Sequence, residues 1–111
     1  MKFYCDGSGW NGQMSKFGIL RENWYSTMTF DKPLSVNVME YSAIILACIV
    51  ASNGDEIYSD SQLAVNQING IFKTKEPSLM PLRQAASALI QGKRLKLTWM
   101  SRKNNKADKI V

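Results

Sequence analysis

The chain has 111 residues, 45% of them hydrophobic, so we expect one folded domain over residues 1–111 and exclude disorder of the whole chain. Histidine is absent, which excludes Ser-His-Asp and Cys-His catalysis and disfavours a zinc site. The formal net charge is +5, and ten of the 14 Lys and Arg residues lie between Lys73 and Lys109, where the only acidic residues are Glu76 and Asp108. This asymmetry indicates a polyanionic partner such as nucleic acid, although a solvated basic face is also consistent with it.

Three β-strands are predicted at the start of the chain. Alternating apolar and polar residues predict the first over Lys2–Asp6 and the second over Ser15–Leu20. Aromatic and β-branched residues predict the third over Trp24–Phe30. Glycines at 7, 9 and 12 supply the first turn, and residues 21–23 form the hairpin between the second and third strands.

Helices and strands alternate in the rest of the chain. We predict a helix that is capped by Ser35 or Asn37 and runs to about Ser52, followed by a strand over Glu56–Ser59. A second helix is predicted from Asp60 or Ser61 to Asn69, and a third over Ser78–Gln91, which ends at Gly92. A strand over Leu95–Trp99 and a last helical turn that holds Asp108 complete the chain. This order predicts an α/β fold, in which one mixed sheet has helices packed on its faces.

The sequence contains no predicted membrane segment. Its longest apolar run, Ala43–Ala51, is much shorter than the roughly 18 residues that span a bilayer, and the first residues lack a signal-peptide core. Cys5 and Cys48 are the only cysteines, and they lie in apolar runs without a CxxC pattern, so we expect buried reduced thiols. We therefore expect a soluble, cytoplasmic protein.

Four of the nine acidic residues occur in particular settings, and each also has an ordinary interpretation. Asp6 precedes Gly-Ser-Gly, which is common turn chemistry, but the glycines also leave room for a ligand. Glu40 has capping-box spacing from Asn37, yet it borders an apolar helix where a carboxylate needs compensation. Asp60 lies where a helix cap is expected, and Asp108 lies in a polar, basic segment.

These four carboxylates are predicted to converge. In a sheet of strand order 3-2-1-4-5, the first, fourth and fifth strands are neighbours, so acids that follow or border them can meet at one edge. Like charges held close together raise one another's pKa values, and divalent cations relieve that repulsion. An all-oxygen set of ligands favours Mg²⁺ or Mn²⁺ over zinc or copper.

Four segments in this order resemble the motifs of the ribonuclease H type 1 family. They are Phe3-Tyr4-Cys5-Asp6-Gly7-Ser8, Asn37-Val38-Met39-Glu40-Tyr41, Tyr58-Ser59-Asp60-Ser61-Gln62, and Leu97 to Arg102 followed by Asn105-Lys106-Ala107-Asp108. Each motif is weak alone, but the four together span Lys2 to Asp108, nearly the whole chain.

The resemblance implies a ribonuclease H-like fold with a five-stranded mixed sheet of order 3-2-1-4-5. It implies an endonuclease that hydrolyses the RNA strand of RNA–DNA hybrids and leaves 5′-phosphate and 3′-hydroxyl ends. Asp6, Glu40, Asp60 and Asp108 would be the catalytic residues and would bind two Mg²⁺ or Mn²⁺ ions. Hybrid contacts would come from Gly7, Ser8, Asn11, Asn37, Gln62, Lys103 and Asn105. We expect a monomer, with a dimer left open.

The sequence also departs from the family pattern. The segment Ser101–Ala107 lacks the histidine that many members carry, and the first loop lacks the usual Gly-Asn-Pro. The missing histidine leads us to expect altered turnover. Only residues 109–111 follow Asp108 where a longer helix is usual, so we expect weaker ligation by Asp108. Three alternatives remain: a non-catalytic nucleic-acid-binding module of this fold, a nuclease of this fold with another substrate, and a plain α/β domain.

Overall fold

The computed structural model contains one five-stranded sheet, three α-helices and two short 3₁₀ turns near the C-terminus. The elements are β1 (Lys2–Ser8), β2 (Ser15–Arg21), β3 (Trp24–Phe30), α1 (Val36–Val50), β4 (Glu56–Ser59), α2 (Gln62–Ile68), α3 (Met80–Lys93) and β5 (Lys96–Trp99). The sheet order is β3-β2-β1-β4-β5, which confirms the prediction. β2 pairs antiparallel with both β1 and β3, whereas β4 pairs parallel with both β1 and β5.

The core lies between the sheet and α1. This helix is apolar on nearly every side because it packs against β1 and β2 on one face and α3 on another. Phe3 and Ile19 from the sheet and Ile44 from α1 are completely buried there. Cys5 and Cys48 are buried free thiols, as predicted, and burial raises the pKa of both. None of the three α-helices has the length and apolar character that a membrane-spanning helix needs.

β1 is longer than predicted, and Asp6 lies inside it rather than at its end. Gly7 and Ser8 continue the antiparallel pairing, opposite Phe17 and Lys16 of β2. On the other side of β1, the parallel pairing with β4 stops earlier, at Cys5. Asp6 is therefore paired with β2 on one side and lies one residue beyond the last pair with β4 on the other.

The predicted end of α3 at Gly92 is wrong, because the helix continues to Lys93. Arg94, and not a glycine, adopts the left-handed conformation at its end, with φ of 53°. The Lys93 ammonium group donates hydrogen bonds of 2.8–2.9 Å to the carbonyls of Cys48, Ile49 and Ala51. These bonds satisfy carbonyl groups at the end of α1, and they give the last residue of α3 a tertiary partner.

The C-terminal segment returns to the middle of the sheet. The region predicted as a loop contains one 3₁₀ turn over Arg102–Asn104, and the predicted last turn is a second one over Lys106–Lys109 that includes Asp108. Ile110 and Val111 pack beside Gly18, where an added Cβ would lie 3.1 Å from each side chain. Gly18 is the register partner of Asp6, so this packing brings the chain's end to the first acidic residue.

Candidate active site

Asp6 and Asp60 are brought together by the register of two parallel strands. Cys5 of β1 pairs with Ser59 of β4. Asp6 directly follows Cys5, and Asp60 directly follows Ser59. Parallel strands point the same way, so the two carboxylates lie at the same edge of the sheet, as predicted.

The Asp60 carboxylate does not cap α2. The cap is Ser61, whose hydroxyl accepts a hydrogen bond of 3.1 Å from the Ala64 amide. The indole nitrogen of Trp99 donates to the backbone carbonyl of Asp60 at 3.2 Å, and not to its carboxylate. Oδ2 of Asp60 is buried and has no hydrogen-bond partner. A buried carboxylate oxygen without a partner is costly, so this atom is suited to bind a cation.

Glu40 also has a tertiary role instead of a capping one. Ser35, and not Asn37, caps α1 by accepting a hydrogen bond from the Val38 amide. Glu40 is only 6% exposed, and its carboxylate accepts a hydrogen bond from the Gly7 amide. A Cβ on Gly7 would lie 2.5 Å from the backbone of Met39 and Glu40, so only glycine permits this approach of β1 to α1.

Asp108 reaches the same place from the C-terminal turn. One carboxylate oxygen from each of Asp6, Asp60 and Asp108 lies within 4.8 Å of the others. Glu40 completes the wall of the cleft, whose volume is about 470 Å³. The predicted convergence of four carboxylates is therefore what the geometry shows.

The acidic cluster is electrostatically strained without a cation. Burial, with the neighbouring Asp60 carboxylate, raises the pKa of Asp6 to about 6. Burial and the adjacent Asp6 carboxylate raise the pKa of Glu40 well above its usual range. A bound divalent cation would relieve both effects.

The donor set fits a hard divalent ion. It consists of carboxylate oxygens only, and it includes the unpartnered Oδ2 of Asp60. Oxygen ligands suit Mg²⁺ and Mn²⁺, whereas zinc and copper favour the nitrogen and sulfur ligands that this cleft lacks.

The residues predicted to contact nucleic acid occupy different positions. Gly7 and Ser8 line the cleft, but the Gly7 amide is occupied by the Asp6 and Glu40 carboxylates. Asn37 is half-buried in the first turn of α1, whereas Gln62 and Lys103 are exposed. Asn11 is exposed, and its side-chain oxygen Oδ1 shapes the turn after β1 by accepting hydrogen bonds from the backbone amides of residues 13 and 14.

Asn105 differs most from its predicted role. It is only 3% exposed, and both ends of its side chain are bonded within the protein. Its buried position does not fit the predicted contact with substrate. The sequence predicts an exposed side chain for Asn105, because it is a polar residue in a basic loop. It is buried only because the C-terminal segment folds back against β1.

Arg102 was not singled out from the sequence. It is the only basic residue that lines the cleft, and its Nε lies 3.1 Å from Oδ1 of Asp108. Its sequence signals are its place at the end of the Leu97 to Arg102 motif segment and in the basic segment, where it is one of several similar residues.

Comparison with known families agrees with this geometry. A model of the RNase H family matches residues 1–111. The chain belongs to the RNase H family. Both the RNase H family and the sheet order that the sequence motifs predicted are therefore confirmed.

Solved structures of RNase H domains share the fold. The N-terminal RNase H domain of a Mycobacterium tuberculosis protein, solved as a fusion with maltose-binding protein, matches with a TM-score of 0.84 and 24% identity over 99% of this chain and 88% of that one. RNase H1 of the halophilic archaeon Halobacterium salinarum matches with a TM-score of 0.79 and 24% identity over 96% and 89% of the two chains. These two likenesses concern the fold.

A third similar structure contains nucleic acid. It is LC11-RNase H1, isolated from compost by a metagenomic approach, in complex with an RNA/DNA hybrid. It matches with a TM-score of 0.81 and 26% identity over 99% of this chain and 92% of that one.

Proposed function

We propose that this protein is an endonuclease that hydrolyses the RNA strand of RNA–DNA hybrids with two divalent metal ions. The observation that carries the proposal is the meeting of Asp6, Asp60 and Asp108, with Glu40 beside them, in one cleft of an RNase H family member. Mg²⁺ or Mn²⁺ is the proposed cofactor.

The reaction is hydrolysis of one phosphodiester bond. The oxygen of a water molecule bonds to phosphorus and gives up one proton, the bond from phosphorus to the ribose 3′ oxygen breaks, and that 3′ oxygen takes up one proton. The products carry a 5′-phosphate and a 3′-hydroxyl. Two bound cations supply the activation of water and the stabilisation of the leaving oxygen.

The chain's own residues hold and orient the reacting groups. Asp6 presents its oxygen ligands from β1, Glu40 from α1, Asp60 from the position directly after β4, and Asp108 from the second 3₁₀ turn, so the cleft is held by the sheet, α1 and the C-terminal turn. Gly7 and Ser8 form a wall without long side chains, which leaves the substrate backbone room to approach.

The proposed substrate is an RNA–DNA hybrid. LC11-RNase H1, a similar protein, was solved with such a hybrid. Exposed Gln62 and Lys103 lie on segments that border the cleft, and the exposed Lys and Arg residues near the C-terminus would contact phosphates. We therefore expect little sequence preference and a binding constant that falls steeply with salt.

A cleavage assay on a labelled hybrid tests this function. We expect cutting of the RNA strand in Mg²⁺ or Mn²⁺, none with EDTA, and 5′-phosphate ends on the products. An Asp6→Asn variant should lose activity by about a thousandfold, because a lost metal ligand costs several kcal/mol of transition-state stabilisation. If the wild type binds the hybrid but does not cut it in either metal, it is a non-catalytic binding module.

Substrate specificity needs its own comparison. The same label is placed on a hybrid, on double-stranded RNA, on double-stranded DNA and on each single strand. We expect cleavage of the hybrid alone. Faster cutting of DNA or of single strands would assign the cleft to a different nuclease activity.

A further inference from the structure

We propose that Asn105 is a positioning residue that holds Asp108 in the acidic cleft. This inference rests on the proposed function, because it assigns Asp108 as a metal ligand. It also changes the role of Asn105 from a substrate contact to an internal tether.

The Asn105 side chain joins two segments that are distant in sequence. Its Nδ2 donates a buried hydrogen bond of 2.7 Å to the backbone carbonyl of Cys5, 100 residues earlier in the chain. Its Oδ1 accepts a hydrogen bond of 3.1 Å from the Ala107 amide. One side chain therefore fastens the last turn to β1 and also caps that turn.

Both ends of this tether lie next to metal ligands. Cys5 directly precedes Asp6, and Ala107 directly precedes Asp108. The Asp108 amide donates in turn to the Asn105 carbonyl at 3.1 Å. The tether therefore sets the distance between two carboxylates that have to bind the same ions.

Few other contacts hold Asp108 itself. Its side chain contacts Arg102, which is 80% exposed, and an ion pair of that kind is weak and screened by salt. The packing of Ile110 and Val111 beside Gly18 anchors the residues after Asp108 but makes no hydrogen bond to it. The buried bonds of Asn105 are therefore the directional contacts that place this carboxylate.

Metal binding by matched variants tests the proposal. Mn²⁺ is titrated by calorimetry into the wild type, Asn105→Ser, Asn104→Ser, Asp108→Asn and the double variant Asn105→Ser/Asp108→Asn. Serine at 105 can still cap the turn but is too short to reach Cys5. The neighbouring Asn104 is exposed and makes no side-chain hydrogen bond, so it is the control.

We expect Asn105→Ser to weaken Mn²⁺ binding about tenfold, as is typical when a residue behind a metal ligand is lost. Asn104→Ser should bind as the wild type does. In the Asp108→Asn background, the Asn105 change should have no further effect, because its target ligand is already gone. A residue that only stabilises the fold would add its full effect in that background.

Four results overturn the inference. Wild-type affinity in Asn105→Ser rejects it, and so does an unchanged loss in the Asp108→Asn background. Absence of Mn²⁺ binding by the wild type rejects the proposed function and this inference with it. If Asn105→Ser does not fold, amide hydrogen exchange in the wild type decides: the Ala107 amide should be protected nearly as well as β1, and free exchange there rejects the tether.

Discussion

Glu40 reaches the cleft across Gly7, whose amide donates to its carboxylate and whose missing side chain leaves the necessary space. The two residues are 33 positions apart in sequence. Their contact joins the start of α1 to β1 and explains why a glycine follows Asp6.

Replacing Gly7 with alanine should destabilise the protein by about 1–3 kcal/mol, because the new Cβ would overlap the backbone of α1. The variant should also bind Mn²⁺ more weakly, since Glu40 is displaced. Gly92→Ala is the control: nothing lies within 4 Å of its added Cβ, and this helical position should gain about 0.5–1 kcal/mol. Urea denaturation measures both, and equal stability of the two variants would contradict the prediction.

The stability of the metal-free protein should fall as pH rises. The pKa of Asp6 is raised from 3.8 to about 6, so the folded state holds a proton that the unfolded state releases, and stability is lost between these two pH values. The raised pKa of Glu40 extends the loss to higher pH. Asp55 has a lowered pKa, through the Ser52 amide, and so titrates below this window.

Thermal melts in EDTA check this pH dependence. We expect the Tm to fall by at least about 4 °C between pH 4 and pH 7, and millimolar Mg²⁺ to restore it. Asp6→Asn should flatten the profile, because it removes one charge from the cluster. A Tm that rises over this interval in the metal-free wild type would contradict the assigned direction.

Arg102 should compete with the metal for Asp108. It is paired with Oδ1 of Asp108 at 3.1 Å, so an ion that binds this oxygen has to displace the guanidinium group. Arg102→Gln should therefore raise Mn²⁺ affinity by about two- to fivefold, the range set by an exposed ion pair. Lys103→Gln, an exposed neighbour without this contact, is the control in calorimetry. Weaker Mn²⁺ binding in Arg102→Gln would show that the arginine supports the ligand.

Lys93 should contribute to stability through the end of α1. Its ammonium group donates to three carbonyls there, and hydrogen bonds to a charged group are worth about 1.5–3 kcal/mol. Lys93→Met should lower the free energy of unfolding by about 2 kcal/mol. Lys96→Met, at an exposed position of β5, should change it by less than about 0.5 kcal/mol. Indistinguishable denaturation midpoints for the two variants would count against this capping role.

Local patterns predicted most of the elements correctly. Strand alternation located β2 to within one residue, aromatic and β-branched residues located β3, and Ser61 was one of two predicted caps for α2. The pattern failed where a distant partner decides the conformation. Gly92 was the predicted end of α3, but the helix continues to Lys93, whose side chain contacts the end of α1.

The sequence by itself determined the element order, the four acidic residues and the kind of chemistry that they permit. These follow from residue types and from periodicities of two and 3.6, which neighbouring residues set. The tertiary structure alone decided that Glu40 bonds Gly7 rather than caps α1, and that Asn105 is buried against Cys5. In the first contact the two residues are 33 positions apart in sequence, and in the second they are 100 positions apart. Such contacts form only when the folded sheet brings distant segments together, so no local pattern encodes them.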